Sequence, residues 1–338
     1  MKKFWTVVMC AVVMITVYSC GITRHSRGQS KNAPVSVIFD TDIGPDYGDV
    51  GALTILHALA DSGDIKILAT IACNMFELSA PCIDLINRYY GRPDIPIGAP
   101  LIGPNKADVG HDKSWTKALV DKYPHQLKSS ADAEDAVKVY RRVLAAQPDT
   151  SVAIVTSGFF TNLGALLQSK PDQYSPLDGK QLVAKKVKFL SSMAGAFPSG
   201  REYNVYVDPP ASVIVFEQWP TRIIFSGYEI GFKIPSGDRL VATANIHSPC
   251  YESYFVCSQD RVRSPYLGLS WDQTSVLVAA RGVDRYFNSV KGKATIAPNG
   301  DNGWVDDPNG KHEYLTWKAT PEELTKVIED LMLHEPMK

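Results

Sequence analysis

Asp40, Asp42, Asp46 and Asp49 fall in the short run Asp40-Thr41-Asp42-Ile43-Gly44-Pro45-Asp46-Tyr47-Gly48-Asp49, directly after the apolar stretch Val37-Ile38-Phe39. Carboxylates crowded at the end of a buried strand repel one another unless a cation sits among them. Oxygen-only donors of this kind suit a hard ion such as Ca2+ or Mg2+. A solvated acidic turn that also caps a helix is the alternative reading of the same residues.

Other residues able to do chemistry lie behind later apolar runs. Asn74 follows Ile65–Ala72, and Ser157 follows Val152–Thr156. Met193 follows Lys188–Ser192, and Trp271-Asp272 precedes an apolar helical stretch over Thr274–Ala280. An asparagine after a strand is an ordinary turn residue, and Thr161-Asn162 is an ordinary helix start. Ser157 read as a nucleophile lacks a histidine in a suggestive place. Glu202 and Asn204, two residues apart, fall on one side of an extended segment, where they can converge on one group.

The elements that must position these residues are legible from periodicity. Val35–Phe39, Ile65–Ala72, Val152–Thr156, Lys188–Ser192 and Arg222–Phe225 read as strands. Helical segments lie between them over Val50–Asp61, Ala80–Tyr90, Ala133–Ala146, Asn162–Gln168 and Pro209–Glu217. This alternation predicts an α/β fold with an open, mainly parallel sheet covered by helices on both faces. In such a sheet the ligand sits outside the carboxyl ends of the strands, which is where the residues above fall.

The 338-residue chain has 45% apolar and 21% charged side chains, an ordinary globular composition. With a formal net charge of -1 it carries no broad basic field for nucleic acid or anionic membrane, so a small-molecule ligand is expected. Met1-Lys2-Lys3 and the apolar run Phe4–Val17 have the form of an export signal, marginal in length for a span that needs roughly 20 residues. Val17-Tyr18-Ser19-Cys20 resembles a lipoprotein processing site, with lipidation of Cys20 and plain secretion as the two outcomes. The expected division is a signal over 1–20, a polar tether over 21–33 and a single domain over 34–338. The expected location is periplasmic or membrane-anchored, with the membrane reached only through a lipid on Cys20. Cys73, Cys82, Cys250 and Cys257 lack zinc-site spacing and are open to either disulfides or buried thiols.

Asp40-Thr41-Asp42 followed by Asp49-Val50-Gly51-Ala52-Leu53 resembles the N-terminal signature of the inosine-uridine-preferring nucleoside hydrolases. Ser157-Gly158-Phe159-Phe160-Thr161-Asn162-Leu163, then Met193-Ala194-Gly195 followed by Glu202-Tyr203-Asn204 and Asp208-Pro209, and Trp271-Asp272 resemble three further family segments between about residues 35 and 290. The resemblance implies a nucleoside hydrolase fold, a Ca2+ cofactor and hydrolysis of the bond between ribose and base. It makes Asp42 both metal ligand and base for the attacking water. Asp49, the main-chain carbonyl of Ser157 and Asp272 become the other ligands, with Asp40 and Asp46 in support. Asn74, Met193, Glu202, Asn204, Trp271 and Asp272 become contacts to a nucleoside.

The loop is two residues longer than the family's, and Gly48 stands where the family has the first aspartate of an adjacent pair. Asp46 takes that place only if the loop folds differently, with Tyr47 displaced outward. Trp271 resembles the purine-preferring members, and an indole can stack on a base but not protonate it near neutral pH. Purine nucleosides are therefore favoured. His111-Asp112 and Trp115 fall where family members carry a loop near the base.

Two rival readings remain. A non-catalytic nucleoside- or sugar-binding lipoprotein would retain the pocket without turnover. A haloacid dehalogenase-type phosphatase would use Asp40 as nucleophile and Asp42 as acid. A homo-oligomer is left open, and residues after about 290, Trp304 and Asp306-Asp307 among them, carry no role from sequence.

Overall fold

The computed structural model describes residues 33–107, 114–243, 247–259 and 268–337. Cys20 and the expected signal and tether up to residue 32, like His111-Asp112, lie outside the described residues. The strands are β1 Val35–Thr41, β2 Ile65–Ala72, β3 Ile97–Ala99, β4 Glu134–Asp135, β5 Val152–Thr156, β6 Val187–Met193, β7 Arg222–Ser226, β8 Phe287–Ile296, β9 Asn302–Asp306 and β10 His312–Trp317. They form one sheet in the order β4-β3-β2-β1-β5-β6-β7-β10-β8-β9. Pairing is parallel from β4 through β7 and on to β10, and antiparallel between β10 and β8 and between β8 and β9.

The mainly parallel α/β expectation therefore holds, and β1 shows why. Its side chains alternate between faces. Val37 and Phe39 pack into one core with the helices Gly48–Asp61, Pro249–Ser258, Trp271–Arg281 and Pro321–Met332. Ile38 packs into a second core with the helices Ala136–Ala145, Thr161–Gln168, Gly179–Lys186 and Pro209–Gln218. The helix Gly48–Asp61 is buried on every side up to Leu59, as its almost wholly apolar sequence demands.

After β1 the chain builds outward through β2, β3 and β4, then returns to lay β5 on the other flank of β1. The two loops at the carboxyl ends of β1 and β5 consequently diverge and leave a crevice between them. Asp42 follows β1 and Ser157 follows β5, so both stand at that switch point.

Three features depart from the expectation. The helix expected from Ala133 starts at Ala136, because Glu134–Asp135 pairs with β3 and Asp135 caps the helix by accepting from Lys138 N at 2.9 Å. A β3 of three residues and a β4 of two are too short to show a period of their own. The region after residue 290 completes β8, then supplies β9, β10 and the helix Pro321–Met332. That helix starts with a capping box between Thr320 and Glu323. Cys73, Cys82, Cys250 and Cys257 are all buried free thiols. Among the described residues no helix is long and apolar enough to cross a membrane.

Candidate active site

Asp42 is the first residue after β1, and Asp49 and Asp272 are each the second residue of a helix, Gly48–Asp61 and Trp271–Arg281. The positive end of each helix dipole favours a negative side chain there. All three are almost wholly buried. Burial pushes Asp49 up to about 7 and raises Asp42 and Asp272 well above the usual carboxylate range; the charge of Asp46 pushes all three the same way, and that of Asp49 adds to it at Asp42 and Asp272. The structure thus brings Asp42, Asp49 and Asp272, far apart in sequence, into one electrostatic cluster.

Neighbouring hydroxyls fix Asp49. Its Oδ1 accepts from Thr41 Oγ1 and from Ser157 Oγ at 2.7 Å, while its buried Oδ2 has no hydrogen-bond partner. An orphaned carboxylate oxygen among further buried carboxylates is costly by itself and suits a hard divalent cation. Asp42, Asp49 and Asp272 fit such an ion, with the Ser157 carbonyl as a neutral donor. Among the described residues no three His, Cys, Asp or Glu side chains form a ready-made cage, so main-chain oxygen, water or a ligand's hydroxyls must complete any coordination.

Asn204 holds the Ser157 carbonyl in place. Its Nδ2 donates to Ser157 O at 3.3 Å and Met193 O at 3.1 Å, and approaches Met193 Sδ at 3.2 Å. Glu202, raised to about 7 by burial against its backbone hydrogen bonds, accepts from Gly195 N and Asn204 N, both at 2.9 Å. Glu202 and Asn204 do converge, but not along an extended segment as the spacing suggested. Glu202 caps the one-turn helix Tyr203–Tyr206, which swings Asn204 round beside it.

Gly158 lets the β5 loop pass against β1. A Cβ there would stand 2.4 Å from Asp42 N and 2.6 Å from Cys73 Sγ. Asp40, on the same face of β1 as Ile38, accepts from Tyr140 Oη at 2.7 Å and from Asn162 Nδ2 at 3.1 Å. Asn162 also donates to Ala72 O at 2.8 Å, and Thr161 Oγ1 donates to Asp208 at 2.6 Å. Both residues therefore link loops; the helix they open takes no side-chain cap from Phe160 before it.

Asn74 is likewise committed. Its Nδ2 donates to Asp42 O at 3.0 Å and Lys106 O at 2.7 Å, and its Oδ1 accepts from Phe76 N at 3.1 Å and Lys106 N at 2.8 Å. Its hydrogen bonds staple the loop after β2 to Lys106 and to Asp42. Trp115 is fully buried in the core rather than in a loop near a base.

Trp271 is half-buried and donates its indole N–H to Tyr228 O at 2.9 Å, leaving its ring face for stacking. Tyr228 stacks on it with centroids 5.5 Å apart, and Phe232 stacks on Tyr228 at 5.4 Å. Tyr228 and Phe232 had no motif to announce them; only their proximity to Trp271 marks them. A cleft of about 380 Å³ lies between Ile102–Lys106 and Thr161, Val207 and Asp208, and Asp42, Asp49 and Asp272 are not among the residues that line it.

The C-terminal strands also reach the site. Asn302 of β9 donates Nδ2 to Ala196 O at 2.7 Å and accepts from Ala196 N at 2.9 Å, while its backbone pairs with Gly200. It clamps both ends of the loop that leads to Glu202. Trp304 packs edge-on against Phe197 within the same loop, with centroids 5.6 Å apart.

Residues 37–275 match the family model described as inosine-uridine preferring nucleoside hydrolase. An inosine-uridine preferring nucleoside hydrolase of Crithidia fasciculata is 21% identical over 261 residues, covering 66% of this chain and 79% of that one. A pyrimidine-specific ribonucleoside hydrolase of Citrobacter koseri is 29% identical over 209 residues, covering 58% of this chain and 61% of its own length. Among solved structures, a purine-preferring ribonucleoside hydrolase from Gardnerella vaginalis superimposes with a TM-score of 0.69 at 14% identity, over 88% of this chain and 98% of that one. With the match spanning most of the described sheet and every segment that builds the carboxylate cluster, the chain belongs to the inosine-uridine preferring nucleoside hydrolase family.

Proposed function

We propose that this protein hydrolyses the N-glycosidic bond of ribonucleosides to ribose and free base, with Ca2+ as its cofactor and purine nucleosides preferred. The observation that carries the reading is the electrostatic cluster of buried Asp42, Asp49 and Asp272, in which Asp49 Oδ2 has no hydrogen-bond partner, together with the ring stack of Trp271, the residue before Asp272, with Tyr228 and Phe232. The family membership supports the reaction.

Cleaving a ribosyl bond builds positive charge on the sugar, which a cluster of carboxylates stabilises. When bound, Ca2+ supplies a fixed positive charge for sugar hydroxyls and lowers the pKa of nearby water. Asp42 takes the proton from the attacking water, within the reach of a general base. Glu202 and Asn204 orient the sugar, held by Gly195 and by the Met193 and Ser157 carbonyls. Trp271 stacks on the departing base but cannot protonate it, so the base's own basicity sets how easily it leaves.

The phosphatase reading would require Asp40 as an exposed nucleophile, whereas it is buried under Tyr140 and Asn162. The charged N-terminus and Cys20 support an exported, lipid-anchored protein, to be checked by palmitate labelling of the full chain against Cys20→Ala.

The test is release of base and ribose from a nucleoside panel by a chain lacking residues 1–20, with and without chelator. Release that chelator abolishes, and that Asp42→Ala lowers by about 10²- to 10⁴-fold in kcat, is expected. Ca2+ and nucleoside binding without release from any nucleoside would overturn the hydrolase reading in favour of a binding protein.

A further inference from the structure

The one-turn helix Tyr228–Gly231, which follows β7, meets both Trp271 and the loop that leads to Glu202. On the first side, Tyr228 O accepts from the Trp271 indole N–H at 2.9 Å, and a Cβ on Gly231 would stand 2.3 Å from Trp271 Cδ1 and 2.4 Å from its Cα. Only a glycine allows that approach, so Trp271 rests directly on the turn. On the second side, Tyr228 N donates to Gly195 O at 2.8 Å, and Glu229 Oε2 accepts from Phe197 N at 3.1 Å. Gly195 N in turn donates to Glu202 Oε2 at 2.9 Å. A continuous path of hydrogen bonds and one packed contact therefore runs from Trp271 through the turn to Glu202.

Glu229 is the residue on this path that stability alone does not explain. Its Oε2 takes the bond from Phe197, while its Oε1 is buried with no hydrogen-bond partner. Burial raises its carboxyl above the ordinary range. A bare carboxylate oxygen costs more than one accepted hydrogen bond returns, so an apolar side chain here would leave the fold no worse off. Proteins keep such local violations where a group has a task beyond the fold. The task visible here is to hold Phe197 N, two residues beyond Gly195, against the turn that also supports Trp271.

We propose that Glu229 is a positioning residue that couples the base side of the site to its sugar side, by fixing the loop that leads to Glu202 and Asn204 against the same turn on which Trp271 rests. This rests on the reading of Trp271, Glu202 and Asn204 as contacts to a nucleoside, but not on turnover. Glu229 acts through Phe197 rather than by touching a ligand. Without its bond the loop is no longer held in register with the indole, and a nucleoside must order the sugar contacts as it binds. Stacking on Trp271 and gripping the sugar then cease to reinforce each other.

The experiment is a double-mutant cycle between Glu229→Ala and Trp271→Ala in the full chain with Ca2+ present. It is read as kcat and KM for inosine and uridine, or as their affinities by calorimetry if no base is released, with urea unfolding as the control. Glu229→Ala is expected to lower kcat/KM about 10-fold, chiefly through KM, beside about 3- to 10-fold for Trp271→Ala. The double variant should lose little more than the larger single loss, whereas independent residues would multiply. Glu229→Gln keeps an oxygen for Phe197 N and should recover most of the loss. Glu229→Met keeps the length without the acceptor, should match Glu229→Ala, and carries the cycle if that variant does not fold. Non-additive losses in affinity without base release would overturn the hydrolase reading and leave the coupling supported. Losses that multiply to within about twofold, or Glu229→Ala and Glu229→Met within about twofold of wild type, overturn the coupling even if hydrolysis is confirmed. No binding of either nucleoside overturns both.

Discussion

Asp49 shows how much one side chain depends on its neighbours. Thr41 and Ser157, from two different loops, donate to one of its oxygens and leave the other bare among like charges. At Trp271 the indole N–H is spent on Tyr228, so the residue offers a π-face and nothing acidic. Trp271→Ala is therefore expected to lower kcat/KM for purine nucleosides by about 3- to 10-fold, the weight of one aromatic stack, with a smaller loss for pyrimidines. Equal losses for both in steady-state assays would remove Trp271 from base recognition.

At the scale of elements, the site is a meeting of loops held by backbone hydrogen bonds. The loop after β6 is tied to β9 through Asn302, a residue some hundred positions away. Asn302→Ala strands two backbone groups of Ala196 and should cost about 1–3 kcal/mol in urea unfolding. Because Ala196 lies on the path to Glu202, the same variant should raise KM for nucleoside more than it lowers kcat. An unchanged KM alongside the stability loss would confine Asn302 to the fold.

For the whole molecule, the buried ionisable groups set opposing pH dependences. His57 is lowered to about 3 by burial and then by Arg92, while Asn87, Asp61 and His334 also face it. A histidine kept neutral in the folded state binds fewer protons than in the unfolded chain between about pH 3 and its ordinary 6.5. Its contribution to stability is fully present above 6.5 and is lost as pH falls toward 3. Asp40 and Glu202, raised to about 7 by burial, work the other way, stabilising at acid pH and losing that contribution as pH rises through 7. His57→Gln removes the first effect. Between pH 7.5 and 4.5 it should lose roughly 2 kcal/mol less stability than the wild type in urea melts. An identical loss in both would show that His57 does not carry this acid sensitivity.

The division between what the sequence determined and what the fold decided follows from the range of the interactions. Long apolar runs such as Ile65–Ala72 and Val152–Thr156 declare buried parallel strands locally, and both have the observed boundaries. The aspartate-rich turn after β1 was equally plain, since like charges at a strand end need an explanation wherever the rest of the chain goes. The sequence could not place Asp272 against Gly48, commit Asn74 to Lys106, or bring Asn302 to Ala196. It also placed Tyr47 outward as the condition for Asp46 to reach the site, whereas Tyr47 turns into the core and Asp46 faces the cluster. Each of those is a contact between segments far apart in the chain or a rotation within a lengthened loop. Such contacts form only once β5 returns to the flank of β1 and opens the crevice, so tertiary structure alone decided them.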